Sequence, residues 1–496
     1  MKKIVYCLLF IVYCFAACTE TVSNAKQETT QPDIYPDYIG VTIPVNIAPL
    51  NFSMMNESAL RIDAVIIDRH GHELHSQGDD AVDFDIDDWH TLLGENLGDS
   101  LTVTVSVKYD DGWHTYRPFS LYISADSIDY GLCYRLIAPG YEVWSKMGIY
   151  ERDLSTFDEH TLIDNTLFEG CVNCHSFNRG NPADMSLHIR GLHGATLLRH
   201  NNSPIIAYNT KTDQTLGLCV YPYWHPSGRY VAYSTNTTRQ LFHSADPNRI
   251  EVFDEASDVQ VYDVEKNELI LSSLLKQDSI YETFPVFSAD GRSLYFCAAR
   301  AIPPALDREG PEVGLDSIRY NLCRIDFDPA TGTFGDHIET IIDAEAQQKS
   351  ISFPRPSYDG RFLCYTLSDY GQFSIWHHEA DLHLLDLTTG ESRSMTAANS
   401  DDTESFHNWS TNSRWLVVSS RRDDGLFTRP YFCHVRADGR VSKAFMLPQR
   451  NPRQFYRDRF LSFNVPEFII APTRFDGRNA ARIINSPART PFNVRK

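Results

Sequence analysis

The sequence predicts an all-β protein: an N-terminal antiparallel β-sandwich followed by a six-bladed β-propeller, with a repeat that accommodates five to seven blades. Three observations carry this. A unit of strand, tight turn and strand recurs four times, with blade openings at Pro222, Pro285, Pro354 and Asn408. Each opening leads through a turn (Ser227-Gly228, Asp290-Gly291, Asp359-Gly360, Asn412-Ser413) into alternating aromatic or β-branched residues such as Tyr230 to Ser234. A third strand and second turn follow, as in Val259 to Asp263 before Lys266-Asn267 and Leu382 to Asp386 before Thr389-Gly390. A period somewhat above about 50 residues, built of four short strands, is a propeller blade with long loops.

The repeat extends to both ends. Residues 148–153 resemble residues 259–263, so residues 130–165 supply outer strands of one blade. Val465-Pro466-Glu467-Phe468 resembles the Pro-x-Phe of a blade opening. Pairing these two ends closes the ring and removes exposed sheet edges.

Taken in order, residues 1–18 read as an export leader. Lys2 and Lys3 form the positive region, and residues 4–17 an apolar stretch too short for a comfortable bilayer span. Phe15-Ala16-Ala17-Cys18 resembles a lipobox, with Phe15 departing from its usual aliphatic residue, so lipidated Cys18 is the expected mature N-terminus. Residues 19–34 are polar and read as a flexible tether. Residues 35–127 alternate in short runs, with a hairpin signal at Asp110-Asp111-Gly112, and read as the accessory sandwich. The propeller occupies 128–480 and a C-terminal tail 481–496. No later segment suits a membrane span, so membrane contact is expected only through the lipid anchor, at the periplasmic or outer-membrane face of the cell envelope.

The chain carries 45 Lys+Arg against 65 Asp+Glu, a net charge of −20. That balance excludes nucleic acid and anionic lipid surfaces as partners. Eight cysteines lie beyond the leader and anchor; Cys133, Cys219, Cys297, Cys323, Cys364 and Cys433 stand singly in apolar runs and read as buried thiols.

Cys171-Val172-Asn173-Cys174-His175 is the only C-x-x-C-H in the chain. This spacing lets two thiols add across porphyrin vinyl groups and puts an imidazole in place as an axial ligand, so haem c is the leading expectation. Here the motif falls where other units open a blade, with residues 181–184 as the turn and 185–190 as the second strand, near the channel mouth. His175 is the proximal iron ligand on this reading. His188 is the first choice for the opposite side and Met185 the second, then His193 and His200. Two other readings stay open: a Cys171–Cys174 disulfide, favoured by the same oxidising compartment, and a zinc half-site lacking a second C-x-x-C.

The region from about 130 to 475 resembles the exported propellers related to the Tol-system translocation component (TolB-like). More narrowly, it is similar to Bacteroidetes-type lipoproteins that combine such repeats with a C-x-x-C-H. Residues 171–177, 237–243, 368–376, 402–409 and 420–425 carry the resemblance. The resemblance implies the propeller fold, its families having no settled activity; the motif itself leads to the expectation of a mono-haem electron-transfer protein, or a haem-dependent redox step, with a redox partner or small substrate on the propeller. The alternative is a non-enzymatic scaffold binding an envelope protein or a glycan, with Cys171 and Cys174 as a local staple.

Other polar clusters read as structural. Arg421-Arg422-Asp423-Asp424 reads as a pocket wall or a salt-bridged loop, the loop being the preferred reading, and His377 and His378, adjacent on a strand, point to opposite faces. No G-x-S-x-G occurs, and no catalytic acid/base pair stands out.

Overall fold

The computed structural model describes residues 20–139, 146–302 and 314–496. The leader and Cys18 lie outside the described residues. Among these, no helix is long and apolar enough to cross a membrane.

Six sheets form the propeller, four of four strands and two of five. Blade 1 opens with Cys171–Asn178, blade 2 with Cys219–Trp224, blade 3 with Ile280–Phe287, blade 4 with Ser350–Pro356 and blade 5 with Glu404–Trp409. Blade 6 is built from both ends of the ring: Ser462–Ile469 pairs antiparallel with Gly131–Ile137, which continues outward to Gly148–Asp153 and Glu159–Asp164. This is the ring closure expected from the repeat, and it satisfies an edge that would otherwise expose unpaired backbone.

Local chemistry fixes the blades. In blade 1 the turn is Arg179-Gly180, with φ of 48° and 71°, the left-handed pair that a two-residue hairpin needs. It comes two residues earlier than the turn expected at 181–184, because Asn178 pairs with Asn181. Neighbouring blades are clasped at their turns. Nε2–H of His225 donates to the carbonyl of Gly291 at 3.0 Å, where a Cβ on Gly291 would lie only 2.1 Å from that nitrogen.

The C-terminal residues do not hang free. Thr490–Pro491 adds a parallel strand to the outer edge of blade 1, and Asn493–Val494 does so for blade 2. Between them the buried Phe492 ring stacks 3.8 Å from Tyr262. The helix Gly477–Asn485 buries Ala480, Ala481 and Ile484 against blade 6.

The N-terminal unit differs from two facing sheets. It has one seven-stranded mixed sheet, a two-stranded ribbon (Ile34–Tyr35 with Ser53–Met54), and a helix, Ile86–Glu95. Asp85 caps that helix by accepting from the amides of Asp87 and Asp88, and Trp89, Leu92 and Leu93 form its buried face. Lys26–Gln27, inside the expected tether, is an edge strand parallel to Gly112–Thr115. The expected hairpin is present, with Tyr109 paired to Gly112. One apolar core runs from this unit into blades 4 to 6, from Ile62 to Trp409 and Phe463. Polar contacts accompany it, including Tyr35 Oη donating to Asp423 at 2.9 Å and Trp415 Nε1 to the Asp126 carbonyl at 3.1 Å.

Candidate functional site

Each inner strand carries one non-glycine residue at positive φ: Cys174 at 45°, Tyr221 at 50°, Phe284 at 52°, Phe353 at 50°, Phe406 at 48° and Val465 at 50°. In every blade the register with a neighbouring strand shifts across this residue or beside it, the mark of a bulge. Holding a side chain there costs about 1–2 kcal/mol per residue, so six repeats of it require compensation from packing. The rings supply that packing: Phe284 lies 4.2 Å from Phe353, Tyr221 4.6 Å from Phe284, and Phe353 4.8 Å from Phe406. Together they form an aromatic floor across the channel.

Cys174 is therefore the blade 1 member of a six-fold pattern. The next residue is Pro in four blades and His in two, His175 and His407. Nε2–H of His175 donates to the Cys133 carbonyl at 3.2 Å; Nε2–H of His407 donates to the Cys364 carbonyl at 3.0 Å. In both residues Nδ1 is buried without a partner. Burial pushes His175 down to about 4 and His407 to about 3, so both are neutral.

Above the floor lies a cavity of ≈ 300 Å³ lined by inner strands of every blade but the third. Cys171 and Cys174, both free thiols, line it, as do Asn173 and His175. Cys171 is partly exposed, whereas Cys174 is buried, and that burial raises its pKa. The other predicted ligands lie elsewhere. Met185 is packed in the apolar core beside Phe177 and Leu187, and His188 is buried with Nδ1 3.1 Å from Thr196 Oγ1. His200 pairs with Asp184 at 2.9 Å, and neither it nor His193 lines the cavity.

The roof comes from blade 2. Its strands Tyr230–Phe242 and Ile250–Asp263 run well past the blade, so that Thr238, Phe242, Ile250 and Val252 line the cavity. A buried latch docks this hairpin on the segment after blade 4's second strand. His377 Nε2 lies 3.1 Å from Glu251 Oε2, and Tyr370 Oη donates to Glu251 Oε1 at 2.6 Å. Asn248 Oδ1 accepts from the amide of His378 at 3.0 Å. Burial disfavours charge on His377, but hydrogen bonds to Glu251 and Glu379 outweigh it and hold the imidazole at about 9. Glu379, though desolvated, is held at about 2 by His377.

The lining is cationic. It contains Arg135, Arg190, Arg355 and Arg421 against a single acid, Glu467. Arg421 pairs with Asp402 at 3.1 Å and covers the Trp376 ring at 4.7 Å. Burial pushes Glu467 up to about 7. Of the four arginines only Arg421 stood out in sequence, in its cluster with Arg422, Asp423 and Asp424, and the roof did not. The unbroken runs either side of residues 243–249 were the only signal for the hairpin.

Tested against a haem c, the two thiols fit, since both face one cavity. The imidazole is already engaged with Cys133, and His407 makes the matching bond in a blade without the cysteine pair, so the geometry of His175 belongs to the repeat. Nor do Cys171, Cys174 and His175 converge tightly enough to hold one metal ion, the only such cluster among the described residues being Asp68, His72 and Glu95.

Six radial sheets closed by a shared blade decide the architecture. The fold is a β-propeller. No family model matches the chain. No curated protein matches it either. Among solved structures it is similar to prolyl oligopeptidase B from Galerina marginata, at 11% identity and TM-score 0.36, over 70% of this chain and 42% of that one. The chain thus spans under half the length of that peptidase. It is also similar to a periplasmic gluconolactonase of Pseudomonas aeruginosa, at 13% identity and TM-score 0.34, covering 69% of this chain and 100% of that one. Dipeptidyl peptidase 4 of Porphyromonas gingivalis matches at 10% identity and TM-score 0.26, over 85% of this chain and 61% of that one.

Proposed function

We propose that this is an exported, envelope-facing propeller that holds a small molecule in its central cavity. The observation that supports it is the cavity of ≈ 300 Å³, floored by the aromatic ring of bulges and roofed by the latched blade 2 hairpin. Its size and its mixture of apolar walls with a few polar groups are those of ligand sites. Export rests on the leader, and Cys18 would tether the protein to the membrane surface.

A second reading, covalent haem c serving a redox partner, is favoured by both thiols lining that cavity. Cys171 and Cys174 would hold the group, and His175 would have to release the Cys133 carbonyl to serve it. Haem would supply one-electron chemistry.

Native mass spectrometry of protein released from its own envelope tests both. A mass excess that leaves on denaturation supports the small-molecule reading. An excess that survives denaturation, with a c-type α-band in alkaline pyridine, supports haem. No mass beyond the polypeptide and its lipid anchor under either condition, from haem-replete cells, overturns both.

A further inference from the structure

We infer that the ligand of this cavity is an organic anion with a flat apolar body, and that Arg135, Arg190 and Arg355 select it; the inference rests on the small-molecule reading of the same cavity. Acidic residues outnumber basic ones 65 to 45 in the chain, yet the lining reverses this with four arginines and one glutamate. Arg421 is neutralised by Asp402. Among the described residues, the other three form no ion pair.

Their remaining contacts leave hydrogen-bonding capacity unspent. Arg135 is 9% exposed; one Nη donates to the Asn173 side chain, while Nε is buried without a partner. Arg355 donates from Nη1 to the adjacent Pro354 carbonyl at 3.0 Å, and its guanidinium stands 5.7 Å from the Tyr223 ring. Arg190 is exposed and sits opposite Cys171 in the strand pairing. The three act on one region: Arg190 and Arg135 both bear on the Cys174 thiol, Arg135 on His175, and Arg355 on His407 and Glu467. Glu467 is weak compensation, because its Oε2 already accepts from the amide of Phe177 at 3.0 Å and burial favours its neutral form.

Of the three, only Arg135 is buried, and a buried guanidinium without a counter-charge is costly. An anion from outside removes that cost and gains charge-assisted, forked hydrogen bonds. A carboxylate, sulfonate or phosphate head satisfies this chemistry equally. The body is set by the rest of the lining: Tyr221, Phe353 and Phe406 below, Phe373, Ile375 and Trp376 beside. A bare inorganic anion would leave those apolar faces uncovered, whereas a flat hydrocarbon or aromatic body stacks on them.

Two dyes sharing one aromatic body separate charge from shape: anionic 8-anilinonaphthalene-1-sulfonate and neutral N-phenyl-1-naphthylamine. Fluorescence titration of the full mature chain is expected to show the sulfonate binding at least tenfold more tightly. Arg355→Gln and Arg190→Gln should each weaken the sulfonate about tenfold, the loss of one charged contact, while leaving the neutral dye unchanged. Val252→Trp, which fills the cavity, should abolish binding of both and thereby locates them. Circular dichroism of each variant establishes folding, and Arg190, being exposed, is the variant least able to disturb it. Equal affinity for the two dyes, insensitive to both arginine changes, overturns the anion inference and leaves the cavity reading standing. Binding of neither dye, or binding indifferent to Val252→Trp, overturns the cavity reading with it.

Discussion

Replacing His377 by Gln removes the positive charge from the latch and leaves Glu251 and Glu379 facing a neutral amide. In the folded protein the imidazole titrates at about 9, against an ordinary 6.5, because two carboxylates hydrogen-bond to it in a buried setting. At 1.36 kcal/mol per pH unit that gap corresponds to about 3 kcal/mol of folded-state preference for the protonated ring. The folded value is the raised one, so the contribution is complete below pH 6.5 and disappears as pH climbs through 9. Urea unfolding at intervals from pH 6 to 9.5 should therefore show wild type losing up to about 3 kcal/mol that His377→Gln never had. The two curves converge at the alkaline end. Glu379, held at about 2, adds a second loss below pH 4.5, where its protonation breaks the same contact. Hydrogen exchange of the amides at 239–252 locates the effect, because a latch failure frees the hairpin before the ring opens. Wild-type and variant curves running parallel from pH 6.5 to 9 would refute the charged latch.

Three further outcomes follow from particular contacts. Iodoacetamide on the native protein should label Cys171 and spare Cys174, whose thiol is buried and raised in pKa; mass mapping that finds both labelled at equal rates contradicts the bulge geometry. Phe492→Ala should cost about 3 kcal/mol in urea unfolding, as expected for a buried ring removed from a stack on Tyr262, and an unchanged midpoint means the C-terminal strands do not hold blades 1 and 2. Glu282 is pushed up to about 9 by burial and then by Asp258, and both its carboxylate oxygens lack partners. Its charge thus opposes folding increasingly from pH 4.5 to 9, so at 1.36 kcal/mol per pH unit Glu282→Gln should gain about 4 kcal/mol relative to wild type between pH 5 and pH 8; a pH-independent difference refutes the assignment.

Much of the propeller was legible because its signals are local. Asp290-Gly291 and Asp359-Gly360 turns, and strands such as Tyr230 to Ser234, need only neighbouring residues to be read. Even closure showed in the likeness of Val465-Pro466-Glu467-Phe468 to a blade opening. The helix at Ile86–Glu95 was missed although its cap, Asp85, and its apolar spacing of Trp89, Leu92 and Leu93 are local too; the surrounding alternation outweighed ten residues. The strand at Thr490–Pro491 could not be read, since its partner is 282 positions earlier.

The motif at Cys171 to His175 shows where the two kinds of information part. Its residue types and spacing are properties of the sequence alone, and they point to haem. The repeat already places the motif at a blade opening, as it does His407; only the folded ring reveals that Cys174 and His175 occupy a bulge shared with Phe406 and His407, because that feature is one of backbone conformation and hydrogen bonding. The same holds for the arginines. Residues 135, 190 and 355 belong to blades 6, 1 and 4, and no local pattern relates them. The sequence by itself determined the repeat, the closed ring and the acidic surface, through turn chemistry, alternation and composition. Tertiary structure alone decided the cationic cavity and its latched roof, because charges far apart in the chain meet only when the ring brings its inner strands around one axis.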